Sequence, residues 1–116
     1  VKWLRKGGLV DALRPTTAAD GQPSAFALLH TAAANGHLEM VRELLKRGAS
    51  VDLPSSHGIT ALMNAARFGH LSILLFLLQH SANPDLQSDI GRTALMGAAD
   101  FEYEACVKAL LRAKAN

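Results

Sequence analysis

The feature that most limits what this chain can fold into is a self-similarity at a spacing of 33 residues. Laying residue 25 over 58 over 91 aligns the chain without a gap. Residues 25–57 and 58–90 agree at 12 of 33 positions, and residues 58–90 and 91–116 at 12 of 26. The repetition is plainest in "LEMVRELLKR" (38–47), "LSILLFLLQH" (71–80) and "EACVKALLRA" (104–113). Each ends its apolar part in a leucine pair: Leu44-Leu45, Leu77-Leu78, Leu110-Leu111. The middle copy is closed by Gln79 and His80, well short of the about 20 apolar residues a membrane-spanning helix requires. The chain therefore builds one small unit several times and stacks the copies.

Each unit reads as helix, sharp turn, helix, extended loop. In "TALMNAARFG" Thr60 is a helix cap, and Gly69 ends the helix in a left-handed conformation. "HLSILLFLLQ" follows, with Leu71, Leu74, Leu77 and Leu78 at helical spacing. "SANPDLQSDIG" then gathers Asn, Pro, Asp, Ser and Gly, which bend the backbone. Ala32-Ala33, Ala65-Ala66 and Ala98-Ala99 supply small side chains where two helices approach closely. Leu29, Leu62 and Leu95 sit one helical turn earlier on the same face. One such unit cannot bury its apolar faces, so stacking supplies the missing partner. The expected fold class is an all-α solenoid of stacked helix-turn-helix units.

The stretches "GITALMNAARFGHLSILLFLL", "GRTALMGAAD" and "LHTAAANGHLEMVRELLKRGASVD" resemble the ankyrin repeat, a 33-residue unit with a T-P-L-H-x-A signature. The resemblance covers residues 25–116 and divides them into two full repeats, 25–57 and 58–90, and an incomplete one, 91–116. It implies a β-hairpin at each repeat boundary, a shorter inner helix on the concave side and a longer outer helix behind it. Residues 1–24 match poorly, and "GGLVDALR" fits the second helix of a degenerate N-terminal capping segment, followed by a linker. The signature Thr-Pro-Leu-His becomes "ALLH" at 27–30 and "TALM" at 60–63 and 93–96, so Met63 and Met96 are expected to pack rather than bond. "FEYE" stands in the third unit where the second has "FGHL", which predicts a less regular turn at Glu102. The last residues, "AKAN", run in register with "HSAN" of the second unit, and the expectation is that further repeats follow.

Charge names no partner. The net +2 resides in residues 1–24, while residues 25–116 carry eight basic and eight acidic side chains. A nucleic-acid surface concentrates its cations on one face, so none is expected. The start, "VKWLRKGGL", shows no long apolar stretch of the secretory kind. The single Cys106 allows no internal disulfide, which points to a reducing, intracellular setting, cytoplasmic or nuclear.

No catalytic or metal-binding constellation stands out. His37 and His70 occupy equivalent repeat positions, on the order of 10 Å apart, too far to share a zinc ion whose bonds to nitrogen are about 2 Å. Both fit the family's Gly-His turn residue, bonding locally. His30 matches the signature His and reads as structural, whereas His57 and His80 are expected to be exposed. Cys106 aligns with Met40 and Ile73, which places the thiol in the core. "KGGL" and "NGH" lack the Gly-Lys-Ser/Thr of a phosphate loop. The expectation is a protein without catalytic activity, cofactor, metal or small-molecule substrate.

Function then reduces to the variable side chains that the scaffold displays. In ankyrin-like proteins these are the hairpin tips and the open positions of the inner helices. The resemblance places Phe26, Ser56, His57, Ile59, Asp89, Ile90 and Arg92 at the tips, and Asn35, Arg67, Phe68, Asp100 and Phe101 on the inner helices. Phe68 and Phe101 are expected side by side on the concave face, flanked by Arg67 and Asp100. Leu75 and Phe76 align with Arg42 and Glu43, so they form a second contact on the convex face or are covered by the Trp3 segment. The leading reading is a module binding a protein or peptide through its concave face, with no nucleic acid and no membrane. The alternative is a regulatory or substrate-recruiting arm of an enzyme whose catalytic domain lies outside this chain.

Overall fold

The structure, a computed structural model, describes residues 25–113, with side chains from Leu28 onward. The expected capping segment and linker of residues 1–24, Trp3 included, lie outside the described residues, as does the side chain of Phe26. Six helices are formed among the described residues: α1 (Ala25–Asn35), α2 (Leu38–Lys46), α3 (Ala61–Arg67), α4 (Leu71–Gln79), α5 (Ala94–Asp100) and α6 (Glu104–Arg112). They pair as three helix-turn-helix units, α1 with α2, α3 with α4 and α5 with α6.

Local chemistry sets the ends of these helices. Thr60 and Thr93 sit in extended conformation, and their Oγ1 atoms accept the Met63 and Met96 N–H groups, both at 3.3 Å. Such a cap satisfies a donor the first helical turn leaves free. The Met63 sulfur in turn accepts the Thr60 N–H at 3.5 Å, although its residue is buried. Met63 therefore packs and bonds at once, where packing alone was expected; the flexible thioether reaches back one turn and accepts weakly.

The turns between paired helices are nearly identical. His37, His70 and Tyr103 donate their N–H to the Ala32, Ala65 and Ala98 carbonyls at 2.9, 2.9 and 3.0 Å. Gly36 and Gly69 reach this geometry at φ of 78° and 73°, and Glu102 reaches it at 60°. The irregular turn expected at Glu102 is not found. The unit keeps the turn and holds a glutamate in the left-handed region, where a Cβ is strained.

The core lies between the two rows of helices. Leu29, Val41, Leu44, Leu62, Ile73, Leu74, Leu77 and Leu110 are each 1% exposed or less. Complete burial of one such side chain is worth roughly 1.5–3 kcal/mol. Inner helices meet through alanine, with Ala33, Ala65, Ala66 and Ala98 fully buried. Outer helices meet through leucine and isoleucine, which hold them further apart. Inner helices α3 and α5 have seven residues and outer α2, α4 and α6 have nine, whereas inner α1 has eleven. The shorter inner helix expected thus holds in the second and third units and not in the first. A row packed more closely on its inner side than on its outer side curves, with the inner helices on the concave side.

Successive units are joined by polar bonds as well. The His70 Nε2–H donates to the Ala34 carbonyl of the preceding unit at 2.9 Å, so this histidine bridges repeats instead of bonding locally as expected. His30 Nε2–H donates to the Leu53 carbonyl at 2.8 Å, in keeping with its structural reading. The Asp52 carboxylate accepts the Asn83 N–H at 3.0 Å. At the loop tips, Ser55 N–H bonds Ile59 C=O and Ser88 N–H bonds Arg92 C=O, each at 2.8 Å, and Asp89 N–H reaches the His57 carbonyl at 3.0 Å. These few bonds make hairpin-like turns that touch along the stack. No strand is formed among the described residues, so the boundary is a hairpin in path but not in ladder.

Candidate protein-binding face

The concave face is built from the open sides of α1, α3 and α5 and the tips that project beyond them. Phe68 and Phe101 occupy the C-caps of α3 and α5 and are 45% and 54% exposed. Each has its own partner. The Arg67 guanidinium lies 5.3 Å from the Phe68 ring centroid, and Phe101 meets Tyr103 with centroids 6.3 Å apart. The two phenylalanines are in register but not in ring contact, because the helix ends they cap are spaced by the repeat. Asp100 pairs with Arg92 across the foot of the third tip rather than lying opposite Arg67.

The tip residues divide by burial. Ser56, His57, Asp89 and Ile90 are exposed, Ile90 to 82%, whereas Ile59 and Arg92 are half-buried at the feet of their tips. Asn35 is exposed at the end of α1. Between α3 and α5 a hollow of ≈ 300 Å³ opens toward the concave side. It unites Ile59, Arg67, Ile90, Arg92, Asp100 and Phe101 with five residues that the expected site did not include: Met63, Asn64, Ser88, Thr93 and Gly97. The sequence carries a signal for Gly97 alone: positions 31, 64 and 97 run Thr, Asn, Gly, so only the third unit lacks a side chain there, and the spacing does not say what surrounds it.

On the convex face Leu75 is 41% exposed and Phe76 is half-buried. Phe76 packs against His80, centroids 4.3 Å apart, and under the Arg42 guanidinium at 5.5 Å. Neighbours on the outer helices thus cover part of Phe76; the Trp3 segment lies outside the described residues. His57 and His80 are exposed as expected. Cys106 is buried, and that burial pushes its thiol pKa up, the opposite of what a nucleophile requires. Among the described residues no three His, Cys, Asp or Glu side chains gather as metal ligands, and no helix is long and apolar enough to cross a membrane.

The profile of the ankyrin repeat family, described as three copies, matches residues 6–88 and 29–116. The chain belongs to the ankyrin repeat family. Among solved structures it is similar to the human ASB11 ankyrin repeat domain, at 32% identity and a TM-score of 0.73. That similarity covers 76% of this chain but 40% of the other, so this chain spans well under half of the larger array. No curated protein gave a significant match. The ankyrin profile reaches back to residue 6, into the segment expected to be a degenerate capping repeat. Ankyrin repeats are generally protein–protein interaction modules.

Proposed function

We propose that this chain binds a protein or peptide segment through its concave face and loop tips, without catalysing a reaction on it. The observation that carries this reading is the exposure of large apolar side chains along one side of the stack. Phe68, Ile90 and Phe101 are open there, beside a hollow floored by Met63 and Gly97. A soluble chain that leaves such side chains together on a pre-formed groove gains by covering them. Net charge contributes little to affinity, because Arg92 and Asp100 neutralise each other and the repeats are balanced, which leaves Arg67 as a lone exposed cation at the hollow among the described residues. Binding should therefore survive added salt, unlike an association steered by surface charge.

The test is capture from cell extract by the original chain and by a Phe68→Ser, Phe101→Ser double variant. Both rings are about half exposed and stand outside the buried core, so the variant should keep its helical circular dichroism and cooperative melting. A protein retained by the original at raised salt and lost by the variant supports the reading. Equal retention by both contradicts it and directs attention to Leu75 and Phe76 on the outer side.

A further inference from the structure

We infer that the hollow between α3 and α5 receives a large apolar side chain from a protein segment that carries a carboxylate close by, the carboxylate meeting Arg67. This inference rests on the concave face being the binding face and specifies what that face selects.

The hollow exists because one side chain is missing from a periodic row. In the second unit Asn64 fills the corresponding place, and its Nδ2 donates to the His30 carbonyl at 3.4 Å. In the third unit the place is held by Gly97, which has nothing to put there. Sterics do not require the glycine. A Cβ at Gly97 would come no nearer than 3.7 Å to Arg67, an ordinary contact, and the residue lies within α5 at a φ open to any L-residue. Inside a helix glycine is less stable than alanine, so its physical effect here is to lower stability and to open the groove. The space a side chain would take is left as open groove.

The walls state what fits. Ile59, Met63, Ile90 and Phe101 present carbon to the hollow, which suits an apolar group leaving water. Ionic groups at the rim leave a single uncompensated charge. Arg92 is paired with Asp100, whereas Arg67 makes no ion pair among the described residues and rests beside the Phe68 ring. An occupant that brings one negative charge next to its apolar anchor complements this rim, and one that brings a positive charge is repelled. A nucleic-acid backbone would call for several free cations in a row, and the hollow offers one.

A phage-displayed library of random peptides should be panned against the wild-type chain, Gly97→Asn, Arg67→Glu and the Phe68→Ser, Phe101→Ser variant. The expected result is a wild-type pool in which a large apolar residue recurs beside Asp or Glu. A synthetic peptide from that pool should lose ~10-fold or more in affinity with Gly97→Asn, the scale of a lost anchoring contact. Arg67→Glu should enrich Lys or Arg at the acidic position. Gly97→Ala, which favours the helix, serves as the second variant should the asparagine disturb folding, and it should weaken the same peptide. Peptides without the acidic preference, or no enriched peptide at all, overturn the inference. A peptide that is indifferent to positions 67 and 97 but lost on the double phenylalanine variant overturns it while leaving the concave reading intact. A peptide indifferent to every variant overturns both.

Discussion

Glu102 and Ser81 hold left-handed backbone, φ 60° and 71°, at positions where the preceding unit has Gly69 and Gly48. Left-handed geometry costs an L-residue about 1–2 kcal/mol, and glycine gives back up to about 1 kcal/mol through the freer unfolded chain. Glu102→Gly should therefore raise stability by about 0.5–1 kcal/mol, read as a higher urea midpoint at unchanged slope; an unchanged or lower midpoint contradicts the strain. Gly97→Ala should also stabilise, by about 0.5–1 kcal/mol, since the Cβ has room and alanine favours the helix. At this scale the alignment made the turn positions and threonine caps legible. It did not reveal that Glu102 would accept a glycine's backbone, because periodicity shows a substitution but not whether the surroundings impose the old geometry on the new residue. Nor did it reveal the Met63 sulfur as an acceptor, a role too weak and too dependent on rotamer to read from spacing.

α4 is apolar nearly all round, so packing rather than polarity distinguishes its faces. Leu74 is fully buried, while its neighbour Leu75 is 41% exposed. Leu74→Ala should cost about 2–5 kcal/mol, as buried leucine truncations do, and Leu75→Ala should stay within about 0.5 kcal/mol, the range of ordinary surface changes. Comparable losses in thermal melts of the two would place the helix in the wrong rotation. The turns that join helices also join units. A Cβ at Gly69 would lie 2.6 Å from the Tyr103 ring, whereas at Gly48, also left-handed, nothing stands within 4 Å. Gly69→Ala should thus destabilise more than Gly48→Ala, with the difference in urea midpoint measuring the clash apart from the strain. Sequence reasoning placed the Gly-His turn but took His70 to bond locally. Its partner is Ala34 of the previous unit, and helical spacing alone cannot say which neighbour a side chain reaches.

For the stack as a whole, stability is shared between units and the bonds between them, and His30 makes part of that sum depend on pH. Burial holds its imidazole below the usual range, and the hydrogen bond to the Leu53 carbonyl opposes the shift without cancelling it. The folded state therefore binds its proton less readily than the unfolded chain. The corresponding stability is complete above the ordinary imidazole range and is lost as pH falls through it toward the lower folded value. The wild-type melting temperature should drop on acidification, and His30→Met, which installs the residue found at positions 63 and 96, should drop less. Equal slopes would assign the acid sensitivity elsewhere. The period and the helix-turn-helix unit could be read from the 33-residue alignment, and which helix row faces inward came from the family resemblance. The hollow could not, because it arises where side chains from two units and a tip meet around an absence at Gly97.

The central claim is that partners meet the inner helices and tips, and a photo-crosslinking residue tests it most directly. Placed at Phe101, on the concave side, and separately at Leu75, on the outer side, it reports which surface lies against a captured protein. The account predicts a crosslinked partner from position 101 and none from position 75. A partner crosslinked from position 75 alone would contradict it.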